Sequence, residues 1–227
     1  MSALNAVVTG GTGALGAAVV EALLARGMNV HLPIHEPALP EHLPWRDRVH
    51  ATPRISLDDE QAVTRYYAGL PPLWASVHLV GGFAMAPVTE TSLADFEKQW
   101  RLNTVTCFLT CREAVRRMSE AKGGGRIVNV AARPAVQPTA GMIAYATAKA
   151  GVAALTQALA AEVLSQGILV NAVLPSIIDS AANRASMPNA DHASWPKPAQ
   201  LAETIAFLAS EQNALTSGTL VPVYGRA

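Results

Sequence analysis

The sequence predicts an α/β fold, a single doubly wound domain whose mainly parallel sheet of about seven strands is flanked by helices. Two observations carry this. Short β-branched runs alternate with helix-length stretches along the whole chain, and a glycine cluster stands where the first strand would turn into the first helix. "AVVT" (6 to 9) is the first strand, closed by glycines, and the small and apolar residues 14 to 26 suit a tightly packed helix. "NVHL" (29 to 32) reads as the second strand. "SLDDEQAV" opens a helix, with Ser56 as N-cap and Asp59 and Glu60 near the positive end of the helix dipole. "SVHLV" (76 to 80), "RIVNV" (126 to 130), "ILVNAVL" (168 to 174) and "GTLVPV" (218 to 223) are strand-like, whereas 92 to 121, 142 to 165 and 198 to 210 are helix-like. Residues 176 to 197 break the rhythm. Pro188, Pro196 and Trp195 with short polar residues suggest a loop or short helix covering a site, so the stretch is read as a lid. In such a sheet, ligands bind at the carboxyl ends of the strands.

Composition narrows the classes of function. Of 227 residues, 50% are hydrophobic and 15% charged, with 17 basic and 17 acidic side chains, which suits one domain spanning 1 to 227. Zero formal charge gives nothing long-range to draw nucleic acid or an anionic membrane, so the expected partner is a small molecule. The apolar stretches "ALGAAVVEALLA" and "AGVAALTQALAAEVL" carry Glu21, Gln157 and Glu162 and fall short of a span. "MSALNAVVTGG" has no secretory pattern, and a cytoplasmic location is the expectation. Cys107 and Cys111, the only cysteines, sit four apart in a helical pattern. They are read as reduced packing residues, with a redox role the alternative, and no metal site is expected.

Two motifs carry chemistry. "VVTGGTGALG" places Gly11, Gly13 and Gly16 directly after a strand and into a helix, where backbone without Cβ can approach a pyrophosphate and the helix N-terminus offers free N–H groups. The alternative, a glycine turn that binds nothing, is disfavoured by the strand, the helix and the sheet-wide rhythm around it. The second strand would normally end in an acid that bonds the adenosine ribose. "NVHLPIHEP" instead puts Pro33 and Ile34 there, then His35 and Glu36. The missing acid and nearby His35 tilt the expected cofactor, NAD(P), toward NADP, unless His35 is simply an exposed loop residue. The second motif is Tyr145 and Lys149 in "YATAK". Four apart on a helix, they share a face. An ammonium ~4 Å from a phenol oxygen, at an effective dielectric near 20, is worth ~4 kcal/mol and would bring the phenol from ~10 toward ~7. That range suits a proton donor at neutral pH.

"TGGTGALG", Asn103 in "WRLNTVTCF", "YATAK" and "NAVLPSIIDS" occur in the order and spacing of the short-chain dehydrogenase/reductase family, which the sequence resembles over nearly its whole length. The resemblance implies a Rossmann domain that binds NAD(P). Its glycine form runs through Thr9, Gly10, Gly13 and Gly16, so that Thr9, Gly10, Gly11, Thr12, Gly13, Ala14, Leu15 and Gly16 would cradle the phosphates. Tyr145 would be the acid/base. Lys149 would lower its pKa and hold the nicotinamide ribose, and Asn103 would kink its helix and anchor a proton-relay water. "HLVGG" replaces the family's Asn-Asn-Ala with His78, Leu79 and Val80 but keeps Gly81, which implies a backbone contact with the cofactor. Pro175, Ile177 and Ser180 match positions on the carboxamide side of the nicotinamide.

The family's substrate-orienting serine lies 13 residues before the tyrosine, and that position here is Ala132. Arg133, Thr139 and Ser176 are the candidate substitutes for a contact that is worth ~10²–10³ in rate. "LPSIIDSAANRASMPNADHASW", "TSGTLVPV" and the alanine ahead of "AGMIAYATAK" look most like the dihydropteridine reductase branch. That likeness implies a quinonoid dihydropterin or similar conjugated heterocycle as hydride acceptor, with Asp179, Asn183 and Arg184 on the lid able to recognise it or merely to fold the loop. A carbonyl reductase or alcohol dehydrogenase is the second expectation, and a cofactor-binding sensor or scaffold without turnover the third. A homodimer or homotetramer through helices 92 to 121 and 142 to 165 is also implied by the resemblance.

Overall fold

In the computed structural model, which describes residues 3 to 226, the alternation seen in the sequence becomes a seven-stranded parallel sheet. Its strands are β1 (Asn5–Thr9), β2 (Asn29–Pro33), β3 (His50–Thr52), β4 (Ala75–His78), β5 (Gly125–Val130), β6 (Ile168–Pro175) and β7 (Leu220–Val223), in the order β3-β2-β1-β4-β5-β6-β7. Crossing helices are α1 (Ala14–Ala25), α2 (Glu60–Ala68), α3 (Leu93–Trp100), α4 (Thr106–Ala121), α5 (Ile143–Val163), α6 (Ala181–Ser186) and α7 (Pro198–Ala209). All pairings are parallel, with Val7 opposite His31 on one side and Ser76 on the other. Every residue of β6 is buried, as a strand covered on both faces requires.

Two apolar layers sandwich the sheet. Val20 and Leu23 of α1 meet Ile205 and Ala206 of α7 over Ala6, Val8 and Val128 on one face. On the other, Tyr67, Met118, Val152 and Val163 from α2, α4 and α5 cover Val7, Ile127, Ile168 and Val170. The chain winds outward from β1 in both directions, first through β2 and β3 and then through β4 to β7. The crevice between β1 and β4 is therefore the switch point where such folds bind ligands.

The differences from expectation are local. Asp59, not Ser56, caps α2: its carboxylate accepts from the Gln61 and Ala62 N–H groups, while the Ser56 hydroxyl donates to Asp58. His50–Thr52 is an edge strand with no buried residue, so it lacks the apolar signal of its neighbours. The stretch 92 to 121 runs from α3 through a π turn, Arg101–Val105, into α4. No helix among the described residues is long and apolar enough to cross a membrane.

Candidate active site

The glycine cluster divides its labour. A Cβ on Gly16 would stand 2.0 Å from the Gly10 carbonyl oxygen and 2.7 Å from the Gly11 Cα, so this glycine lets α1 pack onto the turn. Gly11 is buried, and a Cβ there would meet Leu32 and Val20, so its missing side chain serves packing. Gly13 is exposed, and a Cβ there would meet only the Gly10 oxygen at 3.5 Å. It caps α1 with extended backbone, leaving the N–H groups of Ala14, Leu15 and Gly16 without acceptors inside the helix. The first helical bond runs from the Ala17 N–H to the Gly13 oxygen. Thr9 is buried and turned the other way, its hydroxyl oxygen accepting from the Leu79 N–H at 3.2 Å. Thr9 thus ties the end of β1 to the segment after β4.

From this turn a cleft of about 700 Å³ runs over the ends of β1 and β2, lined by Gly10, Thr12, Ile34, His35 and Ser56 among others. His35 lies on its wall, as the sequence suggests, and Ile34 is buried where an acid would bond a ribose. Lys98 and Arg101, three apart on the helical face across the cleft, also line it, with Glu36, Asp58 and Glu97 as opposing charges. Sequence reading missed both cations, although their spacing of three was a usable signal.

The other half of the crevice is built from buried polar side chains. Asn103 lies in the π turn, 1% exposed, and grips Gly82 from both sides: its Oδ1 accepts from the Gly82 N–H at 3.2 Å and its Nδ2 donates to the Gly82 oxygen at 3.1 Å. Nδ2 also donates to the Gln99 carbonyl at 3.0 Å. The helix is distorted at Asn103 as expected, but the amide acts first as a clamp on the chain after β4. Gly81 has no side chain because there is no room: a Cβ would lie 2.5 Å from Asn103 Oδ1 and 3.0 Å from Lys149 Nζ.

Tyr145 and Lys149 start α5 as expected, yet the predicted acidification of the phenol is not found. Burial pushes Tyr145 up to about 12 and Lys149 down to about 8. The reason is that Lys149 Nζ donates to the Val130 carbonyl at 2.8 Å and its electrostatic partner is the Cys107 thiol, while loss of water penalises the charged form of each group. Tyr145 therefore stands as a protonated phenol at neutral pH, its ring edge-on to Phe83 at 5.0 Å. Next to it, Met85, Pro87, Val88, Pro138, Ile143 and Thr147 line an open apolar pocket of about 830 Å³.

The candidate substrate contacts divide. Ala132 is buried and contributes no hydroxyl. The Ser176 hydroxyl donates to the Tyr224 carbonyl at 2.7 Å, and Arg133 donates from Nε to Gln137 at 2.9 Å while its guanidinium lies over the Tyr224 ring. Thr139 is exposed on the rim of the apolar cavity. In 176 to 197 the polar residues hold their own loop. Arg184 pairs in bidentate fashion with Asp179, Asn183 Nδ2 donates to the Ile178 oxygen at 2.8 Å, and Ser180 caps α6 by accepting from the Asn183 N–H. Asn183, expected at the substrate, thus bonds its own loop through Nδ2, and Ser180, expected at the nicotinamide, uses its hydroxyl oxygen in the cap. Pro175 ends β6 opposite Val223, and Ile177, two residues on, is exposed.

Comparison with known proteins agrees with this geometry. A family model described as short chain dehydrogenase matches residues 4–191. The chain is 32% identical to the cis-4-hydroxycyclohexanecarboxylate dehydrogenase of Sinomonas cyclohexanicum, over 97% of this chain and 94% of that one. It is 28% identical to the 3-beta-hydroxysteroid dehydrogenase of Comamonas testosteroni, covering 94% and 91%. Among solved structures, ElxO with NADP bound superposes with a TM-score of 0.89 at 23% identity, covering 99% of this chain and 98% of that one.

Proposed function

This chain belongs to the short-chain dehydrogenase family as an NAD(P)-dependent oxidoreductase, and from that premise we propose that it reduces a flat conjugated acceptor, of the quinonoid dihydropterin kind, with Tyr145 as proton donor. The observation that carries the reading is the pairing of an intact, protonated Tyr145 with a buried Ala132, while Ser176 and Arg133 already bond within the protein. An alcohol or ketone substrate whose oxygen becomes an oxyanion gains from a second donor. A conjugated acceptor that takes one proton does not need it. The apolar walls around Met85, Pro87 and Ile143 are suited to a flat ring.

A nicotinamide dinucleotide supplies the hydride when bound. The residues present fit it: Gly13 is exposed at the start of α1, and the N–H groups that begin α1 are free of helical acceptors. Lys149 would hold the nicotinamide ribose of such a cofactor, and Asn103 fixes the backbone of Gly82 in the segment after β4. NADPH is the favoured donor, because Ile34 replaces the ribose-binding acid and His35, Lys98 and Arg101 line the outer cleft. Segment 176 to 197 serves as the lid. A dimer through α4 and α5 goes with this reading, with Trp100 and Phe108 exposed beside that face.

A second reading, a secondary-alcohol dehydrogenase or carbonyl reductase, is favoured by the relative from Sinomonas cyclohexanicum, whose name states oxidation of a ring alcohol. One experiment separates them. Oxidation of NADPH and NADH is followed with quinonoid dihydropterin and with a panel of ketones, in wild type and in Ala132→Ser. Turnover of the dihydropterin, indifferent to Ala132→Ser, supports the first reading. Turnover of ketones alone, raised by Ala132→Ser toward the ~10²–10³ that such a donor is worth, overturns it in favour of the second.

A further inference from the structure

Beneath the proposed active site lies a cluster to which the proposed reaction assigns no step. Cys107 and Cys111 point from α4 onto the sheet, where His78 ends β4 and Asn129 stands opposite it in register on β5. All four are buried, none more than 5% exposed. We propose that His78, Cys107 and Cys111 form a binding site for a thiophilic divalent cation of the Zn²⁺ class, with Asn129 Oδ1 placed as a fourth donor.

Two of the three distances between the donor atoms are close to those of a tetrahedral coordination shell. Zn–S bonds of ~2.3 Å and Zn–N bonds of ~2.0 Å in a tetrahedron put sulfurs about 3.8 Å apart and sulfur about 3.5 Å from nitrogen. Here the two Sγ atoms are 4.0 Å apart and Cys111 Sγ is 3.4 Å from His78 Nδ1, and the three ligand atoms all lie within 4.8 Å of one another. Asn129 Oδ1 is 3.3 Å from Cys111 Sγ and 2.8 Å from His78 Nδ1.

The surroundings orient the donors. His78 Nε2 is 2.8 Å from the Ser76 hydroxyl, which meets the Tyr67 hydroxyl at 2.9 Å, so one ring nitrogen is held from behind while the other faces the sulfurs. Asn129 Nδ2 donates to Thr156 Oγ1 at 2.9 Å, which turns Oδ1 inward. The spacing of four along α4 also favours a cation over a disulfide. Helical Cβ atoms at that spacing are about 5–6 Å apart, whereas a disulfide needs about 3.5–4.5 Å. A cation between the sulfurs spans the difference.

Binding balances simply. Each thiol gives its proton to solvent, so the two thiolates neutralise the dication. The neutral imidazole moves its proton to Nε2, facing Ser76, and binds through Nδ1; no electrons are exchanged.

The test uses the full-length reduced protein, treated with ZnCl₂ natively and also refolded in its presence so that burial cannot bar entry, then desalted. About one Zn²⁺ per chain is expected by chelator competition, and CoCl₂ in its place should give an intense thiolate-to-cobalt charge-transfer band with tetrahedral d–d bands. Cys107→Ala and Cys111→Ser should each remove the retained metal and the band. Replacing His31 and His50, whose rings stack at 4.9 Å on β2 and β3, away from the cluster, should leave both unchanged. No retained metal, cobalt bound without the charge-transfer band, or retention unaffected by the cysteine changes would overturn the site. Should a cysteine variant fail to fold, the wild-type cobalt spectrum decides.

Discussion

The two walls of the crevice work by opposite means. On the β1–α1 side the chain presents backbone, and its chemistry depends on what is missing: no Cβ on Gly16 where the turn meets the helix, none on Gly13 where the cleft opens. On the β4–α5 side it presents Asn103, Tyr145 and Lys149, and their chemistry depends on what surrounds them. The first wall tolerates change in side chains but not in shape. The second depends on charge and hydrogen bonding.

The largest expected effect breaks the first wall. Gly16→Ala drives a Cβ into the Gly10 carbonyl, where neither partner is a flexible side chain. It should cost about 1–3 kcal/mol of stability by overpacking and abolish NADPH binding, read by thermal unfolding and nucleotide fluorescence. Gly13→Ala should weaken binding while leaving the melting temperature in place, because its Cβ meets only ordinary contact. Equal destabilisation by the two changes would contradict the division of labour among the glycines.

Next comes Tyr145→Phe on the second wall. It should lower turnover by about 10²–10⁴ with the melting temperature and NADPH affinity nearly unchanged, a split no glycine substitution produces. Retained turnover would remove Tyr145 from the reaction.

Lys149 connects charge to pH. Burial lowers its pKa to about 8, so the ammonium is lost as pH rises through that value. If activity needs the cation, kcat/KM is full below pH 8 and falls about tenfold per unit above it. Stability should move the other way. The unfolded chain keeps this lysine protonated to ~10.5, so between pH 8 and that value the unfolded state binds the extra proton and the Lys149 contribution to stability rises with pH. Lys149→Met removes the buried charge, and its stability advantage over wild type should shrink across that window in denaturant titrations. A constant difference would show that Lys149 keeps its proton in the folded state across that window, so that burial does not lower its pKa.

The smallest effect sharpens the clamp. Asn103→Ala leaves the N–H and carbonyl of Gly82 without their partner, which should cost about 1–3 kcal/mol and raise KM for the nucleotide more than it lowers kcat.

Much of the molecule was readable in one dimension for a definite reason. Strand and helix periodicity, the glycines between β1 and α1, and the spacing of four between Tyr145 and Lys149 are local patterns, and each of these elements appears where its pattern lies. Edge strand β3 was not readable, because His50, Ala51 and Thr52 bury nothing. Lys98 and Arg101 on the cleft wall escaped notice because their partner surface comes from β2 and the loop after β3. Ser176, Ser180 and Asn183 looked like ligand contacts by position, but their hydrogen bonds to the backbone and the α6 cap depend on how 176 to 197 folds against Tyr224 and itself.

What the sequence determined alone was therefore the architecture and the placing of Tyr145 and Lys149 four apart at the start of one helix, since period, turn chemistry and helical spacing act over a few residues. Tertiary structure decided the state of that pair. Whether Lys149 acidifies Tyr145 or is itself held down by burial depends on the Val130 carbonyl, on Cys107 and on the water that packing removes. So does the meeting of His78 with Cys107 and Cys111, which comes from laying one helix across two neighbouring strands. Electrostatic energies depend on distance and solvent access in three dimensions, and neither is written in residue order.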